Sequence, residues 1–263
     1  MSDAIVLCYH AISERWPAAL ATTPRQLRQQ VWHLLRANYR GATFSDIAFG
    51  APAARAVAIT FDDAYRSVID LALPILAEAG FPATVFAPSA FIGRTEPVAW
   101  PGIDQWRETE YADELTPMSW DDLAALTRVG WEIGSHTRSH RNLTELNAQQ
   151  LDEELSGSRA DIEERLARPC TSLAYPYGYR DTRVIQAARR AGYTAAARTT
   201  RGRILPPSSA LDWPRIMITR RDDKRRFHIK TSPAFRRVRA SAAWAVIDRR
   251  RRRRRAAHPT VES

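Results

Sequence analysis

Val57-Ala58-Ile59-Thr60-Phe61-Asp62-Asp63 decides the fold of this 263-residue chain. Its β-branched and aromatic residues read as a short buried strand, and two adjacent carboxylates stand where that strand stops. Ala64-Tyr65-Arg66-Ser67 then begins a more helical stretch. Two neighbouring acids at the mouth of a buried strand are costly to bury unless paired or bound to a metal. The simpler reading makes Asp63, or both acids, a cap for the following helix. Clusters elsewhere in the chain bear on that choice.

Working outward, the spacing predicts strands over residues 4–9, 83–87, 131–135, 171–175 and 193–197, with a last one at 216–218. Between them lie helices over 23–37, 65–79, 119–129, 147–166 and 182–191. Thr23-Pro24 reads as an N-cap followed by proline at the first helical position. Pro74 implies a kink or restart in the helix around it. Residues 41–47 read as a loop or short strand. Strands alternating with helices predict a parallel α/β sheet or barrel. In such folds the chemistry sits at the carboxyl ends of the strands. Every notable polar cluster falls at one of those ends: His10, Asp62-Asp63, the run from His136 to His140, and the run from Tyr175 to Gly178.

Composition narrows the function. The hydrophobic share of 44% supports a sizeable core. No run approaches the ~20 apolar residues of a membrane span. The first ten residues lack a basic segment and carry too short an apolar run for a signal peptide, so a cytoplasmic location is expected. Cys8 and Cys170 match no metal or redox spacing. The net charge of +10 is local. Residues 220–263 hold 16 of the 39 Lys and Arg and 4 of the 29 Asp and Glu, leaving 23 basic and 25 acidic residues in the rest. A nearly neutral body argues against specific nucleic-acid binding, which needs a basic face of its own.

His136 and His140 are four residues apart, a spacing that lets two imidazoles share one ion. Two surface histidines would give the same pattern. Their place at a strand end, with Asp63 at another, favours a two-nitrogen, one-oxygen set that leaves coordination positions open, as catalytic sites do. Zinc is the default ion, with iron, cobalt, nickel or manganese as alternatives. Asp62 is then free to take a proton from bound water. His10 is available as a general acid, or is a core histidine bonded to backbone.

Ile59-Thr60-Phe61-Asp62-Asp63-Ala64-Tyr65 and His136-Thr137-Arg138-Ser139-His140 together resemble the first two motifs of the polysaccharide deacetylase family, carbohydrate esterase family 4. Pro82-Ala83-Thr84-Val85-Phe86 is similar to the strand that follows the first motif. The resemblance covers roughly residues 4–220. It implies a distorted (β/α)7-type barrel and metal-dependent removal of N-acetyl groups from an amino-sugar glycan. It also implies Asp63, His136 and His140 as metal ligands and Asp62 as catalytic base. Ala174-Tyr175-Pro176-Tyr177 falls at the third motif, which would make the Tyr177 backbone N–H an oxyanion donor. The arginine of that motif is Ala174 here. Arg215, in Trp213-Pro214-Arg215-Ile216, either replaces it and orients Asp62 or makes a surface salt bridge. Tyr9-His10 resembles a branch of the family whose general acid comes first in the chain, so His10 is preferred to His228.

Residues 1–220 are thus read as the catalytic domain, with a long insertion at 88–118, and 221–263 as a basic, disordered C-terminal tail. Trp100, Trp106 and Tyr111 in the insertion either stack on sugars or pack a lid onto the barrel. The seven arginines from Arg249 to Arg255 are read as a solvated end, or as a peripheral attachment to an anionic inner-membrane face. Two other functions share these features: a deformylase or amidase acting on a small substrate, and a non-catalytic glycan-binding or membrane-scaffold protein.

Overall fold

The computed structural model describes residues 3–50, 55–200, 207–241 and 244. In chain order its strands are β1 (Asp3–Tyr9), β2 (Ala11–Ile12), β3 (Ala21–Thr22), β4 (Arg40–Ala42), β5 (Arg55–Asp62), β6 (Thr84–Ala87), β7 (Glu132–Ser135), β8 (Ser172–Ala174), β9 (Ala195–Thr200) and β10 (Trp213–Met217). The helices are α1 (Pro24–Arg36), α2 (Phe44–Phe49), α3 (Leu73–Glu78), α4 (Trp120–Arg128), α5 (Ala148–Leu166), α6 (Thr182–Arg190), α7 (Lys224–Thr231) and α8 (Pro233–Ala240). Seven parallel strands close into a barrel in the order β1-β5-β6-β7-β8-β9-β10, and β10 pairs back onto β1. β4 adds to the early part of β5, beside the stretch that β6 takes over.

The period of two along each strand sorts side chains to the two faces of the wall. Ile5, Leu7, Tyr9, Val57, Ile59 and Phe61 join the large core under the helices. Val6, Ala56, Ala58, Phe86, Ala174, Ala195 and Ala197 form a second core with Phe44 and Ile47 of α2. The second set is small because a seven-stranded barrel has little interior. Phe86 fills much of that space, and a Cβ on Gly134 would stand 2.6 Å from its ring. Thr43 and Asp46 form a capping box that starts α2 where a loop or short strand is expected from the sequence.

Polar residues occupy the same inward register toward the carboxyl end. Cys8 of β1 pairs with Thr60 of β5, and Asp62 of β5 pairs with Phe86 of β6. β10 begins earlier than the sequence suggests, so Arg215 lies inside a strand, fully buried. Pro74 falls in the first turn of α3, directly after a wide turn over Val68–Ala72, which is the restart that its missing N–H requires.

The expectation of a disordered tail from residue 221 fails over 224–240. That stretch forms α7 and α8, and α7 packs on α1 through the buried Phe227 and the His33 ring. Gln30 of α1 donates to the Asp222 carbonyl at 2.9 Å. Basic residues cover the exposed sides of these helices while a few apolar ones dock, so net charge alone misjudged the segment. Residues 249–255 lie outside the described residues. No helix among the described residues is long and apolar enough to cross a membrane.

Candidate functional site

Asp62 is the last residue of β5, and Asp63 turns the chain with φ of 71°. The reversal sends the two neighbouring carboxylates to different tasks. Asp62 faces the barrel interior, where Arg215 grips it twice: Nη1 to Oδ1 at 2.6 Å and Nη2 to Oδ2 at 2.7 Å. Nη1 also donates to the Thr60 hydroxyl at 3.0 Å, and the guanidinium lies over the Phe86 ring. Arg215 is therefore a buried partner of Asp62, not a surface ion pair. The Cys8 thiol donates to Oδ2 of Asp62 at 3.4 Å, a contact that no spacing in the sequence announces. Burial is the largest single influence and would raise the Asp62 carboxyl, but the Arg215 charge and hydrogen bonds, together with His136 and His10, outweigh it and hold the group well below the usual carboxylate range.

Asp63 meets the two histidines. Its Oδ1 lies 3.5 Å from Nε2 of His136 and 3.4 Å from Nε2 of His140. That oxygen is buried and has no hydrogen-bond partner. Burial, followed by the neighbouring Asp62 charge, pushes the Asp63 carboxyl well up. Burial also lowers the pKa of both imidazoles, most strongly at His140, where the adjacent His136 adds to it. Nδ1 of His136 bonds to the Ala174 carbonyl at 2.8 Å, which sets the tautomer that leaves Nε2 with its lone pair free. Two neutral nitrogens and one unpartnered carboxylate oxygen, all within 4.8 Å of one another, fit a divalent cation. The orphaned Oδ1, costly as it stands, is what such an ion would satisfy.

The His136–His140 loop is held from behind. Glu154 of α5 accepts from the backbone N–H groups of Arg138 at 3.0 Å and Ser139 at 2.8 Å, and from the Ser139 hydroxyl. Thr137 and His140 have φ of 65° and 58°. The His140 N–H donates to the Thr137 hydroxyl, and the Thr137 N–H donates to Ser135. Five of the seven described non-glycine residues with positive φ lie at the site: Asp63, Ala64, Thr137, His140 and Tyr177. Such conformations cost roughly 1–2 kcal/mol each, so the packing around the loops must hold them. Glu154 escaped sequence reasoning, although a signal was present. It sits on the core face of its helix, beside Leu151, Leu155 and Ser158, where an unpartnered charge is not tolerated.

The insertion of 88–118 turns its aromatics inward. Trp100 is buried, and Trp106 and Tyr111 pack with Trp16 and Tyr65 in a local core. Trp100 stacks on His140 with ring centroids 4.2 Å apart. The end of the insertion clamps the turn after Asp63, through Met118 N–H to the Ala64 carbonyl and Arg66 N–H to the Thr116 carbonyl, both at 2.8 Å. The insertion thus braces both the turn after Asp63 and the His140 ring.

Nε2 of His10 stands 4.0 Å from Oδ2 of Asp62, at the end of β1. His228 meets His33 edge to face at the α1–α7 contact. Tyr177 closes the cluster, with its ring 4.8 Å from that of His140. The structure thus gathers Asp62, Asp63, His136, His140, His10, Arg215 and Tyr177 at the carboxyl end of the barrel.

A family model for polysaccharide deacetylases matches residues 50–196. YxkH of Bacillus subtilis (strain 168), named as a candidate polysaccharide deacetylase, is 28% identical over 151 residues, covering 57% of this chain and 47% of that protein. A poly-β-1,6-N-acetyl-D-glucosamine N-deacetylase of Staphylococcus aureus (strain MRSA252) is 25% identical over 174 residues, covering 63% of this chain and 55% of that protein. The chain spans about half the length of these curated relatives. Two solved structures share the fold. The deacetylase PplD of Streptococcus pyogenes has a TM-score of 0.70 at 21% identity, over 88% of this chain and 98% of its own. IcaB of Ammonifex degensii has a TM-score of 0.69 at 22% identity, over 88% and 97%.

Proposed function

This chain belongs to the polysaccharide deacetylase family, and we propose that it hydrolyses N-acetyl groups on an amino-sugar glycan, releasing acetate. The observation that carries this reading is the division of labour between two adjacent acids. Asp63 points at two imidazoles, while Asp62 is held by Arg215 beside them. The relatives that act on poly-β-1,6-N-acetyl-D-glucosamine support a β-linked N-acetylglucosamine polymer as the substrate.

Asp63, His136 and His140 would hold the cation, for which zinc suits the two-nitrogen, one-oxygen donor set. Such an ion supplies Lewis acidity, polarising the acetamide carbonyl and acidifying the attacking water. The chain's own groups do the rest. Asp62, kept ionised and fixed in plane by Arg215, accepts the proton of the attacking water. The Tyr177 backbone N–H is proposed as a donor to the carbonyl oxygen as charge develops there. His10 delivers a proton to the departing sugar nitrogen, so that the C–N bond breaks to give a free amine and acetate.

The test is acetate release from acetylated N-acetylglucosamine oligomers by the zinc-loaded protein. Turnover should disappear on chelation and return with added metal. A loaded protein that releases no acetate from any such glycan contradicts the reading. The run from Arg249 to Arg255 supports a cytoplasmic protein resting on an anionic membrane face. Liposome flotation that is unchanged when the run is deleted would remove that part.

A further inference from the structure

The insertion's aromatics are spent on packing, so a sugar chain must find its apolar contacts elsewhere. Among the described residues the exposed large aromatic side chains are Trp32, Phe49, Tyr177 and Tyr179. Trp32 belongs to α1, and Phe49 to α2, which plugs the opposite end of the barrel. Tyr177 and Tyr179 instead lead away from a metal ligand. The Tyr177 ring lies 4.8 Å from that of His140, and the Tyr179 ring a further 5.9 Å out, tilted 31° from Tyr177. Exposure rises along this line, from 5% at His140 to 38% at Tyr177 and 55% at Tyr179.

The strip is held in place before any ligand arrives. Tyr177 adopts φ of 59°, and its hydroxyl reaches the Pro101 carbonyl of the insertion at 3.4 Å. Gly178, with φ of 74°, lies so close to β9 that a Cβ would stand 2.9 Å from the Thr199 backbone. The Gly178 N–H donates to the Tyr175 carbonyl and the Tyr179 N–H to the Pro176 carbonyl. A fixed aromatic surface binds at low cost in ordering.

Resting on the deacetylase reading, we propose that Tyr177 and Tyr179 form a stacking subsite for the sugar next to the one being deacetylated. A β-linked pyranose presents a face of axial C–H groups, and laying it on an aromatic ring buries apolar area from both partners. The ring-to-ring steps are comparable with the width of one pyranose, and the strip starts at the metal ligand. The subsite therefore selects an oligomeric glycan over a single sugar or a small amide. It lies in the loop after β8 and owes nothing to the tryptophans of the insertion.

The experiment compares the zinc-loaded wild type with Tyr179→Ala and Tyr179→Phe on acetylated β-1,6-linked N-acetylglucosamine dimer and pentamer. The wild type should prefer the pentamer in kcat/KM. Tyr179→Ala should shrink that preference roughly five- to ten-fold, mainly through KM, as expected for one aromatic contact. Tyr179→Phe, which keeps the ring, should retain it. Zinc affinity should be the same in all three proteins. A pentamer preference unaltered in Tyr179→Ala overturns the subsite. Should the wild type release no acetate at all, the deacetylase reading fails by itself. Calorimetric titration of the pentamer then decides the subsite: roughly five- to ten-fold weaker binding to Tyr179→Ala sustains it, and equal binding refutes it.

Discussion

Arg215 and Asp62, 153 residues apart in the chain, meet as a planar, two-bond pair inside the barrel. Each would lose its bidentate charge partner inside the barrel without the other. Breaking one side of a buried pair typically costs about 3–5 kcal/mol. Arg215→Met should lower the thermal midpoint of the metal-free protein accordingly. Adding Asp62→Asn to that variant should recover part of the loss, because neither charge then remains. Thermal unfolding of both single variants and the double variant measures the coupling. Strict additivity would mean that the pair is not the unit the geometry shows.

Asp62→Asn keeps the shape of the side chain and removes its basicity. The change leaves untouched the atoms of Asp63, His136 and His140 that are proposed to hold the ion, so the folded variant should load zinc to wild-type stoichiometry. Turnover should fall roughly 10²- to 10⁴-fold, the range for losing a positioned general base. His136→Ala and His140→Ala should behave in the opposite order, losing metal first and activity as a consequence. Metal analysis alongside acetate release separates the two classes.

Much of this site was legible in the sequence because strand ends and short motifs are local features. Asp62-Asp63 and His136 to His140 needed only a buried run followed by polar residues. Arg215 was harder to place. Its partner lies on another strand, and only the closure of β10 onto β1 shows that it points inward. Glu154 and Cys8 were missed for a related reason: their acceptors and donors are set by packing across elements, which spacing within one element does not encode. The tail misled in the other direction. A run of positive charge masked Phe227 and Thr231, the few buried residues that dock α7.

Glu154 satisfies three donors of the loop between the two histidines and touches neither ring. Glu154→Ala should leave those donors facing a void and loosen His140. Zinc affinity, read by competition with a chromophoric chelator, should fall about 10- to 100-fold, as for other groups behind metal ligands. Glu154→Gln should restore most of it, since the amide oxygen can accept both N–H bonds while its NH₂ meets the Ser139 hydroxyl. A Gln variant as weak as Ala would show that the negative charge is the essential property.

His33 offers a pH test away from the Asp63, His136 and His140 cluster. Its ring packs on α7, with Phe227 at 5.9 Å and His228 at 4.8 Å between ring centroids. Burial lowers its pKa first, and the charges of His228, Arg36 and Lys224 lower it further. The unfolded imidazole titrates near ~6.5. Between that value and the lower folded one, the unfolded chain binds more protons, so stability rises with pH across that window. The contact should therefore be intact above about pH 6.5 and weaken as pH falls below it. Hydrogen exchange over residues 224–231, corrected for its intrinsic pH dependence, should speed up on going from neutral to mildly acidic solution. His228→Asn removes one of the neighbours that lower it, so the His33 midpoint measured by NMR should move up toward its ordinary value. A wild-type midpoint at or above the ordinary value would contradict the packing described for this helix pair.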